Sequence, residues 1–482
     1  MGIPYYFYYL TKKYSNIIVR ELPKKINIYA IDFNGIIHPE AAKETNEEKL
    51  IINLWNKIND YNDLYKPDKL IICIDGVAPF AKIIQQRKRR YLTFYKNIID
   101  KTISTWDTNA ISPGTKFMNK LDDYINENNK NKYIFSGSNE AGEGEHKIFK
   151  FLNEIKNEND ETIIINGLDA DLIILSLISG RNNIYLMREN KEQITYVNID
   201  NLKLAIIAEL EKKWCIENPT DLIESYCVMC SILGNDFIPH ILNLNIKSGG
   251  LDKLLNITEI AIRANGALVE NNKINQTTLS EIFNLIAINE DIEIIDLINK
   301  EIEKKPRDFT LKSQEYGIKN KDLVLFDMFN NSKKWRYYYY KKLFDININS
   351  DSTSNASNNY IKGIYWTYNY YKQFDLDYTW YYPYNYPPTV KDISNYLKVN
   401  TIEPIKLSGS FLEPKIQLLL ILPIHSINLI EKSMQKYMTD TSFGLKYLYP
   451  SEYKIQTLFK NHLWECCPIL PMINIEKIIK IK

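Results

Sequence analysis

Carboxylates carry most of the chemistry this chain could perform. Asp32 closes the apolar run of YAIDFNGIIH, Asp75 closes that of IICIDGVAP, and Asp169 and Asp171 follow that of IINGLDADLIIL. Glu143 and Glu145 stand in EAGEGEHKIF, and Asp236 in LGNDFIPH. Residues two apart in extended chain share a face, so Asp169/Asp171, and by the same spacing Glu143/Glu145, can point into one site. Carboxylates gathered in one place repel, and hard dications relieve that repulsion. Mg²⁺ and Mn²⁺ prefer oxygen ligands, and two of them ~3.5 to 4 Å apart hold the attacking and leaving oxygens of a phosphoryl transfer. A single Asp behind a strand is more often a helix cap or turn residue. Seven acids, each beside Gly or behind an apolar strand, point to a two-metal centre.

Directly after Asp75 comes DGVAPFAKIIQQRKRRY. On a helix Lys82, Gln86, Arg89 and Arg90 fall at i, i+4, i+7 and i+8, one face able to grip a terminal phosphate with charge-assisted bonds. Read alone, this is a solvated charge run or a nuclear-import signal at Lys88-Arg89-Arg90.

These residues need a scaffold. After an amphipathic segment at 5–14, helices are expected around 46–59, 81–96, from 112 onward and over 144–155, with strands at 28–33, 70–74, 133–135 and 162–165. That alternation predicts an α/β fold, a mostly parallel sheet with helices on both faces and chemistry beyond the carboxyl ends of its strands. Residues 201–299 read as helical, 300–321 as charged and less periodic, and SDSTSNASNN (350–359) as a flexible surface loop. An aromatic-rich block follows, GIYWTYNYYKQFDLDYTWYYPYNYPP. The expected divisions are 1–243, a nuclease α/β domain with the metal site; 244–359, a helical and loop connection; and 360–482, a block closing the pocket.

At 482 residues, two or three domains or one elaborated domain are expected. A 45% hydrophobic and 25% charged composition excludes a collagen-like or wholly disordered chain. The net charge of +1 leaves any polyanion-binding surface a local patch. Six scattered cysteines without a secretory leader suggest a reducing compartment, with the cytoplasm expected. The CxxC of Cys227 and Cys230 has no second pair and reads as two buried thiols. The most apolar run, Leu418–Leu422, is far short of a membrane span.

The whole set resembles the Xrn family of 5′→3′ exoribonucleases. The segments that carry the likeness are MGIPYYFYYL, IDFNGIIH, DGVAPFAKIIQQRKRRY, ISPGTKFM, EAGEGEHKIF, GLDADLIIL, IYLMREN and LGNDFIPH, then GIYWTYNYY, YTWYYPYNYPP, LLILPIHS, LYPSEYKI and WECCPILPMINIEK, in the family's order. The resemblance implies a PIN/flap-nuclease-like fold and processive hydrolysis, in RNA decay, of single-stranded RNA bearing a 5′-monophosphate, with Mg²⁺ or Mn²⁺ as cofactor. It places metal ligands at Asp32, Asp75, Glu143, Glu145, Asp169, Asp171 and Asp236, and a 5′-phosphate pocket at Lys82, Gln86, Arg89 and Arg90. His38 would stack on the leading base, with Trp380 or Tyr378 across from it. The chain departs from the family at Phe80 (usually Arg), Tyr378 (usually Trp) and Ala141 (usually Pro), at the pocket rim. Ending with the family's second homology block, it is expected to be a minimal catalytic core. The alternatives are a flap-endonuclease-like DNA nuclease, which should lack the QQRKRRY helix, and a non-catalytic RNA-binding relative, which should have lost a paired acid.

Overall fold

Short apolar strands such as IIC of 71–73 and III of 163–165 have no face for solvent, so they must lie inside a sheet covered on both sides. The computed structural model describes residues 2–101, 106–155, 161–167, 169–189, 193–303, 318–403, 407–460 and 462–478, and it builds that sheet. Its strands are β1 (Ile18–Val19), β2 (Ile28–Asp32), β3 (Lys69–Cys73), β4 (Ile134–Ser136), β5 (Ile163–Asn166), β6 (Ile184–Glu189) and β7 (Ile194–Asn198), in the order β1-β7-β6-β5-β2-β3-β4. The run from β6 to β4 is parallel, whereas β7 and β1 add an antiparallel edge that sequence periodicity did not reveal.

Alternate strand residues feed two cores. Tyr29, Ile31, Ile72 and Ile164 pack with Leu54 of α3 (Glu47–Tyr65) and Leu121 of α5 (Lys116–Asn129). Ile28, Ala30, Ile71 and Ile165 pack on the other face with Phe149 of α6 (Gly144–Glu154), Leu172 of α7 (Asp171–Ile178), Leu202 of α8 (Ile199–Trp214) and Val228 of α9 (Pro219–Ser231). Two further helices flank the first strands, α1 (Tyr6–Lys13) and α2 (Asn34–Ala41), and α4 (Phe80–Asp100) follows β3. Helices therefore cover both faces, as the alternation predicts. Cys227 and Cys230 are both buried within α9, and burial pushes the Cys230 thiol up to about 12. Among the described residues no helix is long and apolar enough to cross a membrane.

The second core continues into the helical region through α10 (Gly250–Asn265), α11 (Gln276–Ala287) and α16 (Val390–Val399), so sheet and helical region share one interior. A smaller core joins α12 (Glu290–Glu303), α13 (Ile318–Asn330) and α14 (Trp335–Leu343). Residues 304–317 of the charged segment lie outside the described residues.

The loop expected at 350–359 is not a loop. It opens α15 (Ser350–Lys372), where the Asn349 side chain accepts from the Ser352 N–H at 2.7 Å and Ser352 Oγ accepts from the Asn349 N–H at 3.3 Å. This reciprocal cap satisfies donors a helix start leaves open. Thr353, Ala356, Ser357 and Tyr360 then fall at i, i+3, i+4 and i+7 and are buried. Small and hydroxyl residues can pack a close helix face, and composition alone conceals that pattern. The helix runs unbroken past residue 359 into the aromatic block.

The C-terminal segment packs against the back of α4. Phe80 and Ile83 share a core with α17 (Pro414–Ile421), Leu448 and Tyr449. The Arg87 guanidinium, 2% exposed, donates to the Leu420 carbonyl at 2.8 Å and to the Leu448 carbonyl. Arg87→Met should lower stability by about 2 to 4 kcal/mol, because two buried carbonyls lose charged donors. The urea midpoint checks this, and an unchanged midpoint would show that the Arg87 bonds do not hold the two segments together.

Candidate active site

The chain passes from β2 to β3 and β4, then crosses back to place β5 on the other side of β2. At such a switch point a crevice opens beyond the carboxyl ends of the strands. Asp32 is the last residue of β2, and Asp75 lies two residues past β3, its N–H donating to Asn34 Oδ1 at 3.0 Å. Glu143 occupies the residue just before α6 and Glu145 stands in its first turn, while Asp171 begins α7. Each pair thus flanks the start of a helix and does not lie in extended chain, which corrects the geometry expected from spacing. The helix start favours acids there through its open N–H groups and dipole.

Gly144 is where the acids close in. Its N–H donates to Asp75 Oδ1 at 2.7 Å, and a Cβ on it would lie 2.7 Å from Asp32 Oδ1 and 3.1 Å from the Cys73 carbonyl. Gly2, at φ +53°, leans on Asp171 so closely that any side chain would collide with that carboxylate. Its N–H donates to Asp236 Oδ1 at 3.2 Å. Behind the acids the buried Lys147 ammonium donates to the carbonyls of Ile74 and Gly137, each at 2.8 Å, tying together the chain ends that leave β3 and β4.

Lys82 enters the acid cluster from the first turn of α4. Its ammonium is 2.7 Å from Glu143 Oε1 and 2.8 Å from Asp236 Oδ2, and both carboxylates are buried. Burial opposes the ionised form of Asp236, yet Lys82 holds its pKa well below the ordinary carboxylate range. The other acids move the opposite way. Burial, then Asp75 and Asp169, raise Asp32; burial, then Asp171 and Glu143, raise Glu145; burial, then Asp236, push Asp171 up to about 7. Asp32 Oδ1 and Glu145 Oε2 are buried with no hydrogen-bond donor. Bare buried oxygens among like charges are a fitting environment for hard dications, and the seven acids are the residues that would hold them.

Beyond Lys82, Gln86 of α4 is buried, Arg90 is half-buried and Arg89 is exposed. Gln86 Oε1 and Arg90 Nη1 are buried and unpartnered, and burial, then Arg89, draw Arg90 down to about 9. His38, exposed on α2, is held below its usual pKa by desolvation and then by Arg89, against the pull of Asp75. Trp380 packs on Trp366 with ring centroids 5.2 Å apart, and Tyr378 on Phe411 at 4.6 Å. The Tyr378 carbonyl accepts from the Phe80 N–H at 3.1 Å, which ties the aromatic segment to the start of α4. A cavity of about 590 Å³ lies along the flank of α4, lined by Gln85, Lys88 and Arg89 and reaching Asp169 and Asp236.

Two residues of the site went unread in the sequence. Tyr370 donates its hydroxyl to Glu143 Oε2 and stacks on Trp366 at 5.1 Å, so an aromatic column runs from an acid to Trp380. His146 lies tilted against Tyr370, with ring centroids 3.8 Å apart. The available signal for the column was the i, i+4 spacing of Trp366 and Tyr370 within GIYWTYNYY.

The pattern of the XRN 5′-3′ exonuclease N-terminus matches residues 1–190, and that of the Xrn1 helical domain matches residues 217–325 and 301–481. Human "5′-3′ exoribonuclease 1" is 26% identical, aligned over all of this chain and 34% of its own length. The Saccharomyces cerevisiae protein of the same description is 24% identical over all of this chain and 43% of its length. The Drosophila melanogaster "5′-3′ exoribonuclease 2 homolog" is 24% identical over all of this chain and 70% of its length. The chain thus spans less than half the length of the first two relatives. Among solved structures, the catalytic core of Rad2 in complex with DNA substrate aligns at 12% identity with a TM-score of 0.36, covering 89% of this chain and all of that one. The T5 D15 protein co-crystallised with metal ions aligns at 12% identity and a TM-score of 0.31, covering 56% of this chain and 92% of that one.

The Asp171 carboxyl titrates near 7 when folded, against its ordinary 3.8. A raised folded pKa gives stability that is present below about pH 4 and is lost as pH rises toward 7. In the metal-free protein, stability should therefore fall across that window, and Asp171→Asn should flatten the fall. Urea midpoints at several pH values check it, and an identical slope in the variant would contradict the buried-charge account.

Proposed function

We propose that this chain, which belongs to the XRN 5′-3′ exonuclease family, is a processive 5′→3′ exoribonuclease acting on 5′-monophosphorylated single-stranded RNA in RNA decay. It would release nucleoside 5′-monophosphates one at a time, using two Mg²⁺ or Mn²⁺ ions. The observation that carries this reading is Lys82, which pairs with Glu143 and Asp236 while heading the helix face of Gln86, Arg89 and Arg90. The helix face that would bind a 5′-phosphate and the acids that would hold the ions thus meet at one side chain.

Each residue then has a task. Asp32, Asp75, Glu143, Glu145, Asp169, Asp171 and Asp236 hold the ions, and Lys82 orients two of them. Bound dications supply a Lewis acid for the scissile phosphate and an activated water at neutral pH. Gln86, Arg89 and Arg90 bond the terminal phosphate, where a monophosphate gains charge-assisted contacts, a hydroxyl gains none, and a triphosphate is too long to leave the first linkage on the acids. His38 and either Trp380 or Tyr378 stack on the leading base, which tolerates any sequence. The C-terminal segment packed behind α4 supports an end-on mode, since it covers the Ile83 and Arg87 side of the helix.

Arg90→Ala and Arg89→Ala should each cut kcat/KM for monophosphate RNA by about 10- to 100-fold, the worth of one or two charge-assisted bonds, and cut it much less for hydroxyl RNA. Paired measurements on both substrates test this. An equal loss on the two would mean that the helix only attracts backbone, and a parent that digests triphosphate RNA as fast as monophosphate RNA would end the pocket assignment.

A further inference from the structure

Beside the carboxylates stands a nitrogen donor that the proposed chemistry leaves unused. His146 follows Glu145 in the first turn of α6 and is 9% exposed. One of its ring nitrogens and one carboxylate oxygen from each of Glu143 and Glu145 lie within 4.8 Å of one another. His146 Nε2 is buried with no hydrogen-bond partner, and so is Glu145 Oε2. A bare buried polar atom on each of two neighbouring side chains is costly to the fold unless something satisfies it. A cation accepting an electron pair from each would do so.

The ring is also held in place. Tyr370 lies against it at 3.8 Å and Tyr371 stands parallel to it at 6.5 Å. The Tyr370 hydroxyl donates to Glu143, so one side chain orients both the imidazole and a neighbouring carboxylate. The His146 carbonyl accepts from Gln373 Nε2 at 2.7 Å, fixing the backbone from the far side. Glu143 already meets Lys82 through Oε1, and its oxygens each carry two lone pairs, so a cation here would share Glu143 with that ammonium.

We propose that Glu143, Glu145 and His146 form a mixed oxygen and nitrogen end of the metal centre, which takes a transition-metal dication such as Mn²⁺ or Zn²⁺ through the His146 imidazole. The proposal rests on reading the acid cluster as a metal centre. An all-carboxylate set suits Mg²⁺, whereas an imidazole in the set shifts preference toward first-row transition ions. His146 is thereby the residue of this chain that sets which dication the α6 end of the cluster prefers.

The test is electron spin echo spectroscopy of the full, metal-stripped chain loaded with Mn²⁺, with loss of the free-ion signal reporting binding. The parent should show ¹⁴N modulation from a coordinated imidazole, His38→Ala should keep it, and His146→Asn should lose it. His146→Asn should also weaken Mn²⁺ binding by about ten-fold or more. Modulation that persists in His146→Asn overturns the proposal. Mn²⁺ bound by the parent without ¹⁴N modulation also overturns it, needs no variant, and leaves the acid cluster as an oxygen-only metal site. A parent that binds no Mn²⁺ overturns the metal-centre reading as well.

Discussion

Carboxylates gathered at the end of a sheet carry mutual repulsion that the fold must hold against. Lys82 reaches Glu143 and Asp236, and those contacts keep Asp236 ionised despite its burial. Asp32, Glu145 and Asp171 are left buried and facing neighbouring carboxylates, which is why their pKa values rise. A protein gains nothing in stability from such a cluster, and neutral side chains would pack there more favourably. Its retention makes sense where dications complete it, and the remaining architecture can be understood as what keeps the acids from spreading apart.

Rigid elements do that work. The sheet supplies Asp32 and Asp75, and α6 and α7 aim their open N–H ends at the cluster. Gly144 and Gly2 let the backbone come near enough for the carboxylates to close on it. The aromatic column from Tyr370 through Trp366 to Trp380 braces Glu143 from a helix more than two hundred residues away in sequence. Residues far along the chain thus stabilise the geometry of a site whose acids all come from its first half.

Much of this was legible in the sequence because strands and acids leave local signals. An apolar run ending in Asp marks a strand end, and the parallel sheet with helices on both faces follows from the alternation of such runs with amphipathic stretches. Other features were not legible, each for a physical reason. The 350–359 segment reads as polar, yet Thr353, Ala356 and Ser357 bury because small hydroxyl residues can turn inward and bond their own helix. The acid pairs follow the geometry of helix starts, which spacing two apart does not distinguish from extended chain. Lys82 reads as part of a basic face, but its side chain points into the acids, and only the tertiary placement of the start of α4 beside Glu143 and Asp236 determines that. Tyr370 and His146 likewise owe their position to packing between segments that share no local pattern.

The central claim is that α4 and the acids are held in one register, so that an RNA end seated on the helix is cut at its first linkage. The most direct measurement is the first product formed from a 5′-monophosphorylated RNA, labelled along its length, in the first turnovers with Mg²⁺. The account predicts nucleoside 5′-monophosphates from the outset and no 5′-fragments of two or more nucleotides. Oligonucleotides released from the 5′ end or from internal cuts, with mononucleotides appearing only later, would contradict it.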